Sequence, residues 1–277
     1  MANSFQPFGF AESHRLGASP DYQLSTRKIA QANTTAIYVG DPVQWATGTT
    51  GASTGYIRQA VAPVAISVTS LSWATGVLTL NYSAISAAPA LGSFVVFSGF
   101  STATGINGAW GPILTASTTS FTLNFPATQS TDTGTATVYQ PIAGIFVGCE
   151  YQSTSLRRPV WGYWPGTSDA TADASCKIID DPLMVFRCQG NAQITQAMVG
   201  QNAQFAIGSG STVLNGRSGA YLDISNYTPA PLAYYPFRIV NLIDVPPPPA
   251  PGTDTTSAYN WAYVTFNNQD YRQLAGI

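Results

Sequence analysis

The stretch Gly76-Val77-Leu78-Thr79-Leu80-Asn81-Tyr82 decides the fold class. From Val77 to Leu80 apolar and polar character alternates with period two, the pattern of a strand with one buried and one wet face. Its neighbours read the same way: Ile66–Trp73, Gly92–Gly99, Ile113–Thr118, Ser120–Phe125 and Gly134–Val138 are short runs rich in Val, Ile, Thr and Phe. Turn residues separate them, and Asn107-Gly108 is a tight-turn signal. From Ala62 to Gln140 the only charged residue is Asp132. Residues 62–139 therefore predict a small β-barrel module.

The flanks differ in composition. Gly55–Ala60 before the module and Tyr139–Gly148 after it are strand-like, and charge returns on either side with Arg58 and Glu150. The reading is an insertion into a discontinuous β host domain, residues 1–61 and 140–277, with the strands at Tyr56 and Ile142 as neighbours in one sheet. In the second half Val160–Pro165 forms an aromatic corner. Ala174–Ile179 and Leu183–Cys188 flank the turn Asp180-Asp181-Pro182 and predict a hairpin. Pro246–Pro249 reads as a stiff polyproline spacer. The one weak helical candidate is Ser25–Ala32. The fold class is all-β: a sandwich or barrel host with an extended N-terminal arm and an inserted small barrel.

Residues 1–35 form that arm. Phe5, Phe8 and Phe10 are interleaved with Pro7 and Gly9, and an extended chain would need a surface to cover them. That surface is a neighbouring subunit or the arm's own domain. Arg157-Arg158 sits on a connection between strands, either as a solvated loop or as a contact to an acidic patch on a neighbour.

Composition narrows the function. Of 277 residues 45% are apolar, which makes the chain globular, yet only 9% are charged, against roughly 25% in an ordinary soluble domain. Net charge is −2 with no basic run, so a nucleic-acid partner is not expected. No apolar run approaches the roughly 20 residues of a membrane helix, and the first residues do not read as a signal peptide. Cys149, Cys176 and Cys188 are an odd set without paired spacing, which predicts buried free thiols rather than disulfides.

Catalysis finds no footing. A Ser-His-Asp or Cys-His set would have to use His14, the single histidine, which lies in a polar stretch without a nucleophile motif. Asp180 and Asp181 are adjacent, so on a strand they would point apart and could not converge on a glycosidic bond. No phosphate loop, dinucleotide fingerprint or metal-ligand spacing occurs. No enzyme activity, cofactor or metal is expected.

Several stretches of the host resemble the capsid decoration (cement) proteins of tailed bacteriophages. They are Phe5–Phe10 with Ser25–Ala30, Tyr38–Val43, Ile142–Cys149 with Val160–Gly166, Ile179–Pro182, Asn202–Gly208 and Phe266–Arg272. The module resembles a small barrel of phage structural proteins that is similar to a half-domain of ubiquitin-activating enzymes. The resemblance implies a virion protein on the capsid surface, assembled in the bacterial cytoplasm. It would bridge neighbouring major capsid protein subunits and cluster with sister copies, commonly as a trimer. Phe5, Phe8, Phe10, Arg157 and Arg158 are the candidate contacts to the capsid or to sister copies. The alternative is a tail-fibre or baseplate adhesin whose Trp73, Trp110, Trp161 and Trp164 stack on host sugars. Fibres usually repeat, and no internal repeat is found.

Overall fold

The computed structural model describes residues 3–17, 24–126, 131–212, 216–225, 233–243 and 253–272. The expected spacer Pro246–Pro249 and the end of the chain after Arg272 lie outside them. β-branched and aromatic runs take the extended conformation throughout. In chain order the strands are β1 (Ala11–Arg15), β2 (Leu24–Ile29), β3 (Pro42–Thr47), β4 (Ser53–Gln59), β5 (Val64–Ala74) and β6 (Val77–Tyr82). Then come β7 (Phe94–Ser98), β8 (Trp110–Pro112), β9 (Thr115–Ala116), β10 (Ser120–Asn124), β11 (Gly134–Tyr139), β12 (Gly144–Gln152) and β13 (Pro159–Gly162). β14 (Ala174–Ile179), β15 (Met184–Gln189), β16 (Asn202–Ser211), β17 (Arg217–Asp223), β18 (Phe237–Leu242) and β19 (Trp261–Phe266) complete them. Of the helical candidate Ser25–Ala32, residues 25–29 lie in strand β2 instead: all six residues of β2 pair in register with β14, and that ladder overrides local propensity.

The chain divides into two compact units. The first holds Met1–Gln44, Tyr56–Ala60 and Ile142–Arg272; the second holds Trp45–Gly55 and Val61–Pro141. Residues 45–55, assigned to the host from sequence, cluster with the second unit.

The second unit is one seven-stranded sheet, ordered β8-β7-β11-β5-β6-β10-β9. Its two edge strands are separated in the chain only by Ile113 and Leu114, so the sheet must curl until its edges meet. The decisive stretch behaves as it reads: Leu78, Leu80 and Tyr82 are buried, while Val77, Thr79 and Asn81 are half-exposed. They face Leu71, Val95, Phe97, Phe121 and Leu123 in a single core. Thr75 and Gly76 both have positive φ and close the β5–β6 hairpin. Asp132, the lone charge, accepts from the backbone N–H groups of Thr102, Ala103 and Thr133 at 2.6, 2.9 and 2.8 Å. The hydrogen bond from Ala103, then that from Thr102, holds its carboxyl below the usual range.

The first unit has two six-stranded sheets, β1-β15-β19-β18-β16-β17 and β13-β12-β14-β2-β4-β3. In the second of these β3 also pairs with β12, through Gly144–Val43 and Ile145–Pro42, so five strands close into a barrel and leave β13 on its flank. Tyr56 pairs with Lys28 and Ile142 bridges Gln269, so these two are not sheet neighbours as expected. What joins the ends is β3: the Ala60 N–H donates to Pro42 O at 2.9 Å and the Ala143 N–H to Val43 O at 2.7 Å.

Asp180-Asp181-Pro182 is a turn but not a hairpin, because β14 and β15 belong to different sheets. Adjacent side chains point apart, and each acid meets a different arginine. Asp180 pairs with Arg27 of β2 and Asp181 with Arg15 of β1, both at 2.7 Å. The three cysteines are buried free thiols; burial pushes the Cys176 thiol up to about 12 and raises Cys149 and Cys188 as well.

The arm runs along its own domain. Gln189 fastens it through Gln6 N–H at 2.8 Å and Ser4 O at 2.9 Å. Phe10 is 1% exposed and stacks on Phe237 at 4.2 Å within the core of the first unit. Gly9 has φ +78, and a Cβ there would stand 2.6 Å from Ser218 Cβ and 2.8 Å from Gly40 O. Phe10→Ala should cost about 3–5 kcal/mol, and Gly9→Ala about 1–3 kcal/mol, by urea denaturation. A cost under about 1 kcal/mol for Phe10→Ala would mean that the arm is not docked. Replacing residues 63–138 by a short Gly-Ser linker should leave the first unit folded, since Ala60 and Ala143 are tied to adjacent residues. Loss of its cooperative thermal transition would contradict that.

Candidate docking groove

Four stretches of the first unit, distant in sequence, surround a cavity of about 930 Å³. The chain's own arm supplies Phe8, Phe10 and Glu12, the segment after β2 supplies Val39 and Gly40, the stretch from β12 through the residue after β13 supplies Phe146, Tyr151, Leu156, Trp161 and Tyr163, and β17 supplies Arg217.

One buried carboxylate fixes this geometry. Asp41 has no exposed surface. It accepts hydrogen bonds from Ser218 Oγ at 2.5 Å, Gln59 Nε2 at 2.7 Å and the Tyr38 N–H at 2.8 Å. Around it the backbone is cross-tied: Phe10 N–H donates to Gly40 O, Gly40 N–H to Phe146 O, Val39 N–H to Gly216 O and Ser218 N–H to Val39 O. The groove wall and the start of β17 are thereby held in one register.

The opposite lip is the loop from Ser153 to Arg158. Asp169 accepts from Ser153 Oγ, Thr154 Oγ1 and Ser155 N–H at 2.7–2.8 Å. These bonds, the one from Ser153 above all, hold its carboxyl far below the usual range. The loop is stapled where neutral pH keeps Asp169 ionised, and the staple weakens as pH falls through its folded value. Leu156 is 56% exposed at the tip, and Arg157, at φ +51, and Arg158 follow it into solvent. Trp161, 58% exposed, lies against Gly148, where a Cβ would come 2.9 Å from the indole.

The candidate residues read from sequence fall into two groups. Phe8 and Phe10 are covered by the chain's own domain, so the expected contact of these rings with a neighbour is corrected: Phe8 packs on Trp261 and Phe10 on Phe237. Phe5 keeps 42% of its surface, between Tyr221 and Tyr259. Arg157 and Arg158 are exposed on the loop between the lining residues Leu156 and Val160. Of the tryptophans, Trp164 is fully buried and donates to Asn33 O, and Trp73 donates to Phe125 O. Trp110 is 51% exposed in the second unit and meets Phe94 edge-on. Sequence reading missed Glu12, Leu156 and Arg217 as groove residues. An isolated leucine in the polar run Gln152–Arg158 was the available signal for Leu156.

Among the described residues no three His, Cys, Asp or Glu side chains stand together to hold a metal. His14 contacts Ser13 Oγ and the ring of Tyr263. No known protein family, curated protein or solved structure matches the chain.

Burial raises the Asp41 carboxyl above its ordinary 3.8, against the pull of its three hydrogen bonds. The folded state then keeps the proton to higher pH than the unfolded chain. Its contribution to stability is complete in acid and declines as pH rises from 3.8 through the folded value. Asp41→Asn should remove that decline. The unfolding free energy of the variant, relative to the natural chain, should rise as pH climbs above 3.8. Parallel pH profiles would show that Asp41 does not titrate as described.

Proposed function

We propose that this chain is a non-catalytic virion protein that decorates the capsid of a tailed bacteriophage and docks on the major capsid protein through the groove. One observation carries the reading: an exposed aromatic groove lined by Arg217 and flanked in the chain by the exposed Arg157 and Arg158, built on a closed barrel whose wall and lip are both stapled. A preorganised surface of this kind loses little freedom on binding, which favours a durable contact. The sparse charge of the chain supports the same reading.

Binding to the assembled lattice and not to free subunits would stabilise the shell by mass action. Sister copies on adjacent sites would bridge subunits, and the second unit would serve as a spacer or an additional contact. The exposed Trp161 ring favours a second reading, an adhesin that stacks a host sugar on it.

Sedimentation with expanded, undecorated shells of the encoding phage separates the two. The chain should co-sediment with expanded shells and not with unassembled capsid subunits. Failure to bind shells, with retention on a host-glycan array, would replace the decoration reading by the adhesin one.

A further inference from the structure

We infer that the groove receives an extended acidic peptide segment, whose carboxylates meet Arg157, Arg158 and Arg217 while an apolar side chain lies against Trp161. The inference rests on the docking reading and names the partner's chemistry.

Charge is the first argument. The chain has 11 bases and 13 acids, so acids to neutralise every base are not lacking. Arg15 and Arg27 find them. No acid among the described residues pairs with Arg157, Arg158 or Arg217, and all three are exposed. Arg157 and Arg158 lie in the turn between two lining residues, Leu156 and Val160, and Arg217 lines the cavity itself. Against these three cations the lining sets one acid, Glu12, whose carboxyl burial pushes up.

Orientation is the second. Arg217 is steadied by the ring of Phe8, 5.3 Å from its guanidinium carbon, and Arg187 approaches the same ring at 5.6 Å. Phe8 thus acts as a positioning residue for a groove cation rather than as a contact.

Donor chemistry is the third. A guanidinium has five donors and no acceptor, and its planar fork suits a carboxylate bidentately. A neutral saccharide offers hydroxyls that also need acceptors, and three arginines supply none. Leu156, Val160 and Trp161 suit an apolar side chain next to the carboxylates.

The test is calorimetric titration of the full chain with three probes. They are a capped Ser-Asp-Phe-Asp-Val-Ser peptide, the same peptide with both Asp replaced by Lys, and trigalacturonic acid. The acidic peptide should bind at least about tenfold tighter than the lysine peptide. Arg157→Glu/Arg158→Glu/Arg217→Glu should lose at least about tenfold of that affinity, as should Trp161→Ala; the triple Arg→Lys variant should keep part of it. These are surface changes, and unchanged circular dichroism shows that the fold survives. Equal binding of the two peptides, undiminished binding by the charge-reversed variant, or preference for trigalacturonic acid would overturn the inference. Shell co-sedimentation separates this failure from that of the docking reading. If shells bind the natural and charge-reversed chains equally, the groove is not the contact although docking stands. If no shell binds while the peptide pattern holds, the groove chemistry stands and the shell is the wrong partner.

Discussion

A carboxylate without exposed surface stands where three stretches of the first unit meet. An ionisable group in such a place costs several kcal/mol unless hydrogen bonds compensate its lost water. Asp41 has Ser218, Gln59 and Tyr38 to do so. Those bonds hold Tyr38–Asp41 against β4 and the start of β17, while the adjacent Gly40 donates to Phe146 of β12 and accepts from Phe10 of the arm. Gly9 is needed because no Cβ fits between Ser218 and Gly40. The groove wall, the place of Arg217 and the seating of the arm thus follow from a single buried acid.

The remaining acids repeat the device. Eleven of the thirteen are aspartate, the shorter side chain and the one that reaches nearby backbone N–H groups. Asp132, Asp169, Asp173 and Asp254 each accept from neighbouring N–H groups and have lowered carboxyl pKa values. Asp180 and Asp181 clamp the crossing between two sheets. Acids committed to turns are not available to the surface arginines. A chain with so few charges therefore still presents an unneutralised cationic lip, and it presents it on a loop that Asp169 holds still.

Much of this architecture was legible in the sequence. Period-two runs mark the strands, and the burial of Leu78, Leu80 and Tyr82 follows from them directly. The turn at Asp180–Pro182 was visible as a turn, but whether its flanking strands pair depends on sheet partners far away, and β14 prefers β2 and β12. The aromatics of the arm were visible as rings needing cover. Their cover, Trp261 and Phe237, lies more than two hundred residues downstream, beyond the reach of a local reading. Glu12, Gly40, Trp161 and Arg217 meet only through tertiary folding, so no spacing announces the groove. Trp161 and Trp164 stand three positions apart, an odd spacing that turns side chains of an extended chain to opposite faces; Trp161 is exposed and Trp164 lies in the core.

Amide hydrogen exchange of the chain, free and bound to expanded shells, reads the docking contact segment by segment in unmodified protein. New protection is expected on the loop Ser153–Arg158, on β13 and at the start of β17, with the core strands β15 and β19 unchanged. Binding that leaves those three segments exchanging as in the free chain, with protection gained elsewhere, would contradict docking through the groove.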